Sequence, residues 1–94
     1  MPDLTAQIDG QMVSLIECHW VLFDPDGCAQ ASKYGDAAVD ETAAHRDFTP
    51  RQRDRDRQTR QGYTVQLLSK TQWRKQAGPC FYGTCQHRTA TWPI

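Results

Sequence analysis

Four cysteines constrain this chain more than any other feature, because they fall in two pairs near opposite ends: Cys18 and Cys28, then Cys80 and Cys85. A fold that uses all four has to bring those ends together. The second pair belongs to the stretch Cys80-Phe81-Tyr82-Gly83-Thr84-Cys85-Gln86-His87, two thiols and an imidazole close in sequence. Gly83 sits between the thiols and lets the chain turn back on itself.

Cross-linking would help a chain of this kind. It has 94 residues, 38% of them hydrophobic, and a mean hydropathy of −0.73. That predicts one domain over residues 1–94 with a lean core, near the size at which a staple matters. The opening Met1-Pro2-Asp3-Leu4-Thr5 has neither the basic head nor the apolar run of a secretory leader. The expectation is a cytoplasmic protein with reduced thiols, for which metal comes before disulfides. No apolar run reaches membrane-spanning length, so no membrane partner is expected.

Zinc is the expected metal, because a structural zinc takes four Cys or His ligands in a tetrahedron. Cys18, Cys28, Cys80 and Cys85 supply a complete set, and His87 can substitute for any one of them. An iron–sulfur cluster also uses four cysteines, but these spacings match no common cluster pattern. His19 directly follows Cys18, so on a strand it points to the other face. His45 reads as a helix-face histidine near Phe48. Trp20, Trp73 and Trp92 read as core or site-wall residues.

Along the chain, Asp9-Gly10 between Thr5–Ile8 and Gln11–Ile16 predicts a hairpin. Cys18–Phe23 and Cys28 flank the turn residues Asp24-Pro25-Asp26-Gly27. That places the two cysteines at the feet of a second hairpin, close in space. Residues 29–35 read as irregular, and Asp36–Phe48 as a helix capped by Asp36 or Asp40. Thr49-Pro50 with Gln52 predicts a capping box for a helix over Arg51–Gln61, closed by Gly62. Tyr63–Leu68 reads as a strand. Ser69 and Gln72 form a second capping box that opens a short helix, stopped at Ala77-Gly78-Pro79. The resulting class is α+β: a small mixed domain with an N-terminal β-hairpin, two to three short helices and a Cys-rich, zinc-stapled site.

Charge is balanced overall but polarised. Residues 1–48 hold nine acids and two bases, whereas 49–94 hold two acids and nine bases. The helix at 51–61 has no apolar residue. On it Arg53, Arg57 and Arg60 form one stripe, and Arg51 and Arg55 a second. Such a helix can be solvated and held by its own ion pairs, Asp56 with Arg60 among them. It can also bind phosphates or an acidic protein surface, since the guanidinium fork pairs with either. Zero net charge favours a protein partner over nucleic acid. No phosphate loop, HExxH pair or nucleophile elbow is present, and four thiolates would close a zinc site to substrate. The chain is therefore expected not to be an enzyme. The alternative would be a small Cys/His enzyme built on Cys85 and His87.

Arginine outnumbers lysine eight to three, and asparagine is absent. With Ser32-Lys33-Tyr34-Gly35, the run His45-Arg46-Asp47-Phe48-Thr49-Pro50-Arg51-Gln52-Arg53 and the closing Cys80-to-Arg88 element, the chain resembles small uncharacterised bacteriophage proteins of GC-rich, actinobacterial-type hosts. That resemblance implies an accessory protein acting in a host cytoplasm on a host or phage macromolecule, and implies no particular activity.

Overall fold

The computed structural model describes residues 5–8 and 10–85. Asp9, His87 and Trp92 lie outside them. Among the described residues the fold is a small mixed α and β domain, built on two antiparallel sheets and four α-helices.

The first sheet is the expected hairpin, β1 (Thr5–Ile8) with β2 (Gln11–Ser14). Gly10 takes the positive φ, 81°, that the turn requires. Two strands alone are marginal. This hairpin lies beside another element, with Ile8 and Val13 lining a groove together with Thr71, Gln72 and Lys75.

The second sheet carries the core. Its central strand is β3 (Cys18–Phe23), flanked by β4 (Ala29–Tyr34) and β5 (Thr64–Ser69), both antiparallel. The β5 strand is the one expected over Tyr63–Leu68, and it pairs with β3. The β4 strand was not expected, because Ala-Gln-Ala-Ser-Lys-Tyr is poor in strand formers. Its register also hides it. Leu22 pairs with Ala31 and Phe23 with Ala29, so Gln30 is the extra residue of a bulge.

Alternation along β3 divides the core in two. Val21 and Phe23 face one side and pack with Ala29, Leu68 and Ala77, with Trp73 and Cys80 against them. Trp20 faces the other side and packs with Ala38 and Ala44, with Phe48, Val65 and Leu67 against them. Helices therefore cover both faces: α1 (Glu41–Phe48) on the Trp20 side, α3 (Lys70–Gln76) and α4 (Gly78–Tyr82) on the Val21 side. Val21 has no exposed surface. The indole N–H of Trp20 donates to the carbonyls of Gly35 at 2.9 Å and Ala38 at 3.3 Å, fixing the segment between β4 and α1. Gly35 lies so close to the chain before β3 that a Cβ there would run into the carbonyl oxygen of Leu15.

Helix ends follow the expected caps in part. Asp40, not Asp36, caps α1, accepting the Ala43 N–H at 2.8 Å. Residues 35–37 form a separate 3-10 turn, so α1 starts later than the sequence suggested. The Ser69–Gln72 box is complete in both directions, at 3.2 and 2.9 Å.

The Thr49 box does not form. Helix α2 (Gln52–Gln61) has Arg51 at its N-cap with no side-chain cap. Thr49 instead ends α1: its N–H donates to the His45 carbonyl at 2.8 Å and its hydroxyl donates to Gln58 Oε1 at 2.9 Å. With only Thr49–Arg51 between the helices, Thr49 serves the end of one and cannot start the other. Gly62 closes α2 in the left-handed region as expected, at φ 99°. Among the described residues no helix is long and apolar enough to cross a membrane.

Candidate metal centre

Three of the four cysteines meet. The sulfurs of Cys28, Cys80 and Cys85 all lie within 4.8 Å of one another, and Cys28 Sγ is 3.8 Å from Cys85 Sγ. That separation is too long for a disulfide, whose sulfurs sit about 2.05 Å apart. It equals the edge of a tetrahedron of thiolates around zinc, because a Zn–S bond of about 2.3 Å sets that edge at about 3.8 Å. Three thiols so placed could hold a metal ion.

Each thiol is delivered by a hydrogen-bonded turn or a short helix. Cys28 ends the turn between β3 and β4, and Asp24 organises that turn. Its Oδ1 accepts the N–H of Asp26 and of Cys28, both at 2.9 Å. Its own N–H donates to the Cys28 carbonyl at 2.9 Å, and its Oδ2 accepts the Gln30 amide at 3.0 Å. An Asp that bonds forward to its own turn is a local motif the sequence can specify alone. It places Cys28 inward, 1% exposed.

Cys80 and Cys85 come from α4 and its exit. Pro79 opens this one-turn helix, and Gly83 ends it at φ 77°. The Pro79 carbonyl then accepts the N–H of Thr84 at 2.8 Å and of Cys85 at 3.1 Å. This wrap returns Cys85 to Cys80. The stretch expected to turn back at Gly83 is thus helical up to Tyr82 and turns at Gly83. Both sulfurs are half-buried.

Cys18 is not part of the group, which corrects the expected four-cysteine set. The turn lies between Asp24 and Cys28, so Cys28 sits at the closed end of the β3–β4 hairpin and Cys18 at the open end. Five residues of β3 separate those ends, about 16 Å of strand. Cys18 is fully buried beside Gly35, its thiol 3.4 Å from the Ser14 carbonyl. Burial, with the Glu17 carboxylate adding to it, pushes that thiol above its ordinary range. It is a core residue. His87, the expected substitute ligand, lies outside the described residues.

The remaining histidines take the structural roles expected of them. His45 Nε2 is 2.8 Å from Gln58 Oε1, tying α1 to α2. His19 points away from Cys18. Its ring centroid is 5.7 Å from that of Tyr34 and 5.3 Å from that of Trp73. Burial, and then the Lys70 ammonium, hold it below the usual histidine range. Trp20 is core, and Trp73 is a half-buried wall residue whose Nε1 donates to Ser32 Oγ at 3.0 Å.

The arginines divide. Arg55 is spent inside the molecule, donating to the Thr49 and Pro50 carbonyls at 2.9 and 2.7 Å. Arg57 and Arg53 both turn to Asp54, at 3.1 and 3.8 Å. Among the described residues Asp56 and Arg60 form no ion pair with each other. Arg51 and Arg60 are exposed, and α2 has no buried residue. Of the two stripes, Arg53, Arg57 and Arg60 still face solvent together, while the pairing of Arg51 with Arg55 is lost to the α1–α2 junction.

Two features lay beyond the sequence reading. Asp24 was legible as a turn residue but not as the holder of a ligand. The row of rings Tyr34, His19, Trp73 and Phe81 is assembled from β4, β3, α3 and α4, and no local signal announces it.

No protein-family model matches this chain, and comparisons with curated proteins and with solved structures give no match either.

Proposed function

We propose that this chain is a small zinc-stabilised, non-enzymatic accessory domain that acts by binding a protein partner. The observation that carries the reading is the sulfur cluster, with its 3.8 Å edge between residues far apart in sequence. Thiolates are soft donors that suit zinc. The sequence offers His87 as the fourth ligand, two residues past Cys85, giving a Cys3His set. Burial of Cys28 supports a structural ion over a catalytic one, because a catalytic zinc keeps a position open to substrate. The staple would join the β3–β4 turn to α4.

A protein partner is supported by zero net charge and by large apolar side chains standing in solvent, among them Met12, Ile16, Val39 and Tyr82. The phage-like segments support an accessory role in a host cytoplasm. A second reading, nucleic-acid binding, is favoured by one observation, the row of aromatic rings beside the cations of α3.

Native mass spectrometry of protein purified without added metal tests the main reading. One zinc per chain is the expected result. A metal-free chain that is fully folded, with thiols at 28, 80 and 85 all open to alkylation, would overturn it. A metal-free chain two protons lighter would mean a disulfide instead.

A further inference from the structure

We infer that the rings of Tyr34, His19, Trp73 and Phe81 form a stacking platform for the bases of a single-stranded nucleic acid, with the cations of α3 taking its phosphates. The inference rests on the nucleic-acid reading, and it moves the interface from α2 to the other face of the sheet.

Four rings from four elements follow one another across the surface. Tyr34 and His19 are 5.7 Å apart between centroids, His19 and Trp73 are 5.3 Å apart, and Trp73 and Phe81 are 5.8 Å apart with planes only 12° from parallel. A core would bury such a row, yet Tyr34 is 68% exposed and Phe81 42%. His19, Tyr34 and Trp73 line an open cleft of about 510 Å³ together with Ser32, Lys33 and Ala37. That space is ample for a base, and most of its walls are carbon.

Charge selects the occupant. Aromatic cages often take cations, but here α3 carries no acid and puts Lys70 and Arg74 within about 100° of Trp73 around the helix, whereas Lys75 belongs to the groove beside the hairpin. Burial, and then the Lys70 ammonium, disfavour the imidazolium of His19. A cationic ligand would be repelled, whereas a planar ligand on an anionic backbone meets both the rings and the ammonium groups. Glu17 shares a neighbouring cleft with Lys70 and offsets part of that charge. Lys33 lines the cleft, but its ammonium lies over Phe48 and 3.8 Å from Asp47, on the α1 side. Stacking on side chains requires bases that are out of a duplex, which is why the occupant is single-stranded.

The Arg stripe of α2 offers cations without rings. It sits on α1, across the sheet from the platform. Phosphate contacts there would be indifferent to whether the strand is single or double. The two interfaces therefore predict different substrate preferences.

Fluorescence titration of the full chain with a twelve-nucleotide oligo-dT, its RNA counterpart and a duplex of equal length separates the outcomes. The expected result is quenching of tryptophan emission by the single strands and little response to the duplex. Two phosphate contacts, at Lys70 and Arg74, predict a log–log salt slope of about −1.4. Tyr34→Ala and Phe81→Ala, each checked for an unchanged melting temperature, should each weaken binding about 5- to 150-fold. Lys70→Ala should flatten the slope by about 0.7, while Arg53→Ala and Arg60→Ala leave affinity unchanged. If the strands bind but both ring variants bind as well as the parent, the platform is wrong and nucleic-acid binding survives on α2. If no strand binds at low salt, both fall, and a protein partner remains.

Discussion

The carboxylate of Asp24 accepts the backbone N–H of Cys28 at 2.9 Å, so a side chain that never touches the sulfur decides where the sulfur is. Asp24→Ala leaves that N–H and the N–H of Asp26 without their acceptor, and the Gln30 amide with the Cys28 carbonyl at 3.4 Å. Outer partners of metal ligands are commonly worth 10- to 100-fold in affinity. Competition with a chromophoric chelator should show zinc affinity lowered by about tenfold, with one ion still bound at saturation.

The cysteines separate by role. Cys28→Ser, Cys80→Ser and Cys85→Ser should each abolish stoichiometric zinc and lower the melting temperature. Cys18→Ala should keep one zinc per chain and cost about 1 kcal/mol for the lost core volume. Elemental analysis of the four purified variants checks this, and loss of zinc from the Cys18 variant would return that residue to the site.

Stability should fall at mildly acid pH through His19. Its folded-state pKa lies below the ordinary 6.5, so the unfolded chain takes up the proton first. The contribution is fully present above about pH 6.5 and is lost as pH falls through the lowered folded value. Acid also strips zinc from thiolates, so the comparison is with His19→Gln. Urea midpoints between pH 7.5 and 5 should decline more steeply for the parent than for the variant, and parallel lines would rule the linkage out.

Gly35 is held by space. A methyl group there would strike the Leu15 carbonyl and come within 3.0 Å of the Cys18 Cβ. Gly35→Ala should cost about 2 kcal/mol, in the range of overpacked sites. The exposed neighbour Asp36→Ala should change little, within about 0.5 kcal/mol. Chemical denaturation of the two variants side by side measures the difference.

Much of the fold could be read from local chemistry. Gly10 makes the first turn, Ser69 and Gln72 cap α3, Gly62 closes α2, and Thr64–Ser69 forms the third strand beside β3. These are short-range rules obeyed within a few residues. The errors share one cause, a residue whose role is set by something distant or doubly claimed. Thr49 carries a start signal for α2 but is already the end of α1. Gln30 breaks the alternation of β4, so the strand reads as irregular. That second error propagated to the site: without β4, Cys28 looked like a hairpin foot level with Cys18, when it occupies the turn. The pairing of Cys28 with Cys80 and Cys85 was legible as chemistry, and the exclusion of Cys18 required the strand register.

A metal at Cys28 and Cys85 would also make the chain a ring with a tail. A metal held by both sulfurs closes a loop over the residues between them, 57 apart in sequence, and leaves residues 5–27 outside it. In the chain-entropy picture a permanent closure of that length takes about 4 kcal/mol of freedom from the unfolded ensemble. All of that restriction falls on β4, β5 and the four helices. The N-terminal hairpin and β3 gain nothing from it directly. The strand at the centre of the sheet is thus the one that the closure does not tether, and it must be captured by the ring rather than carried within it.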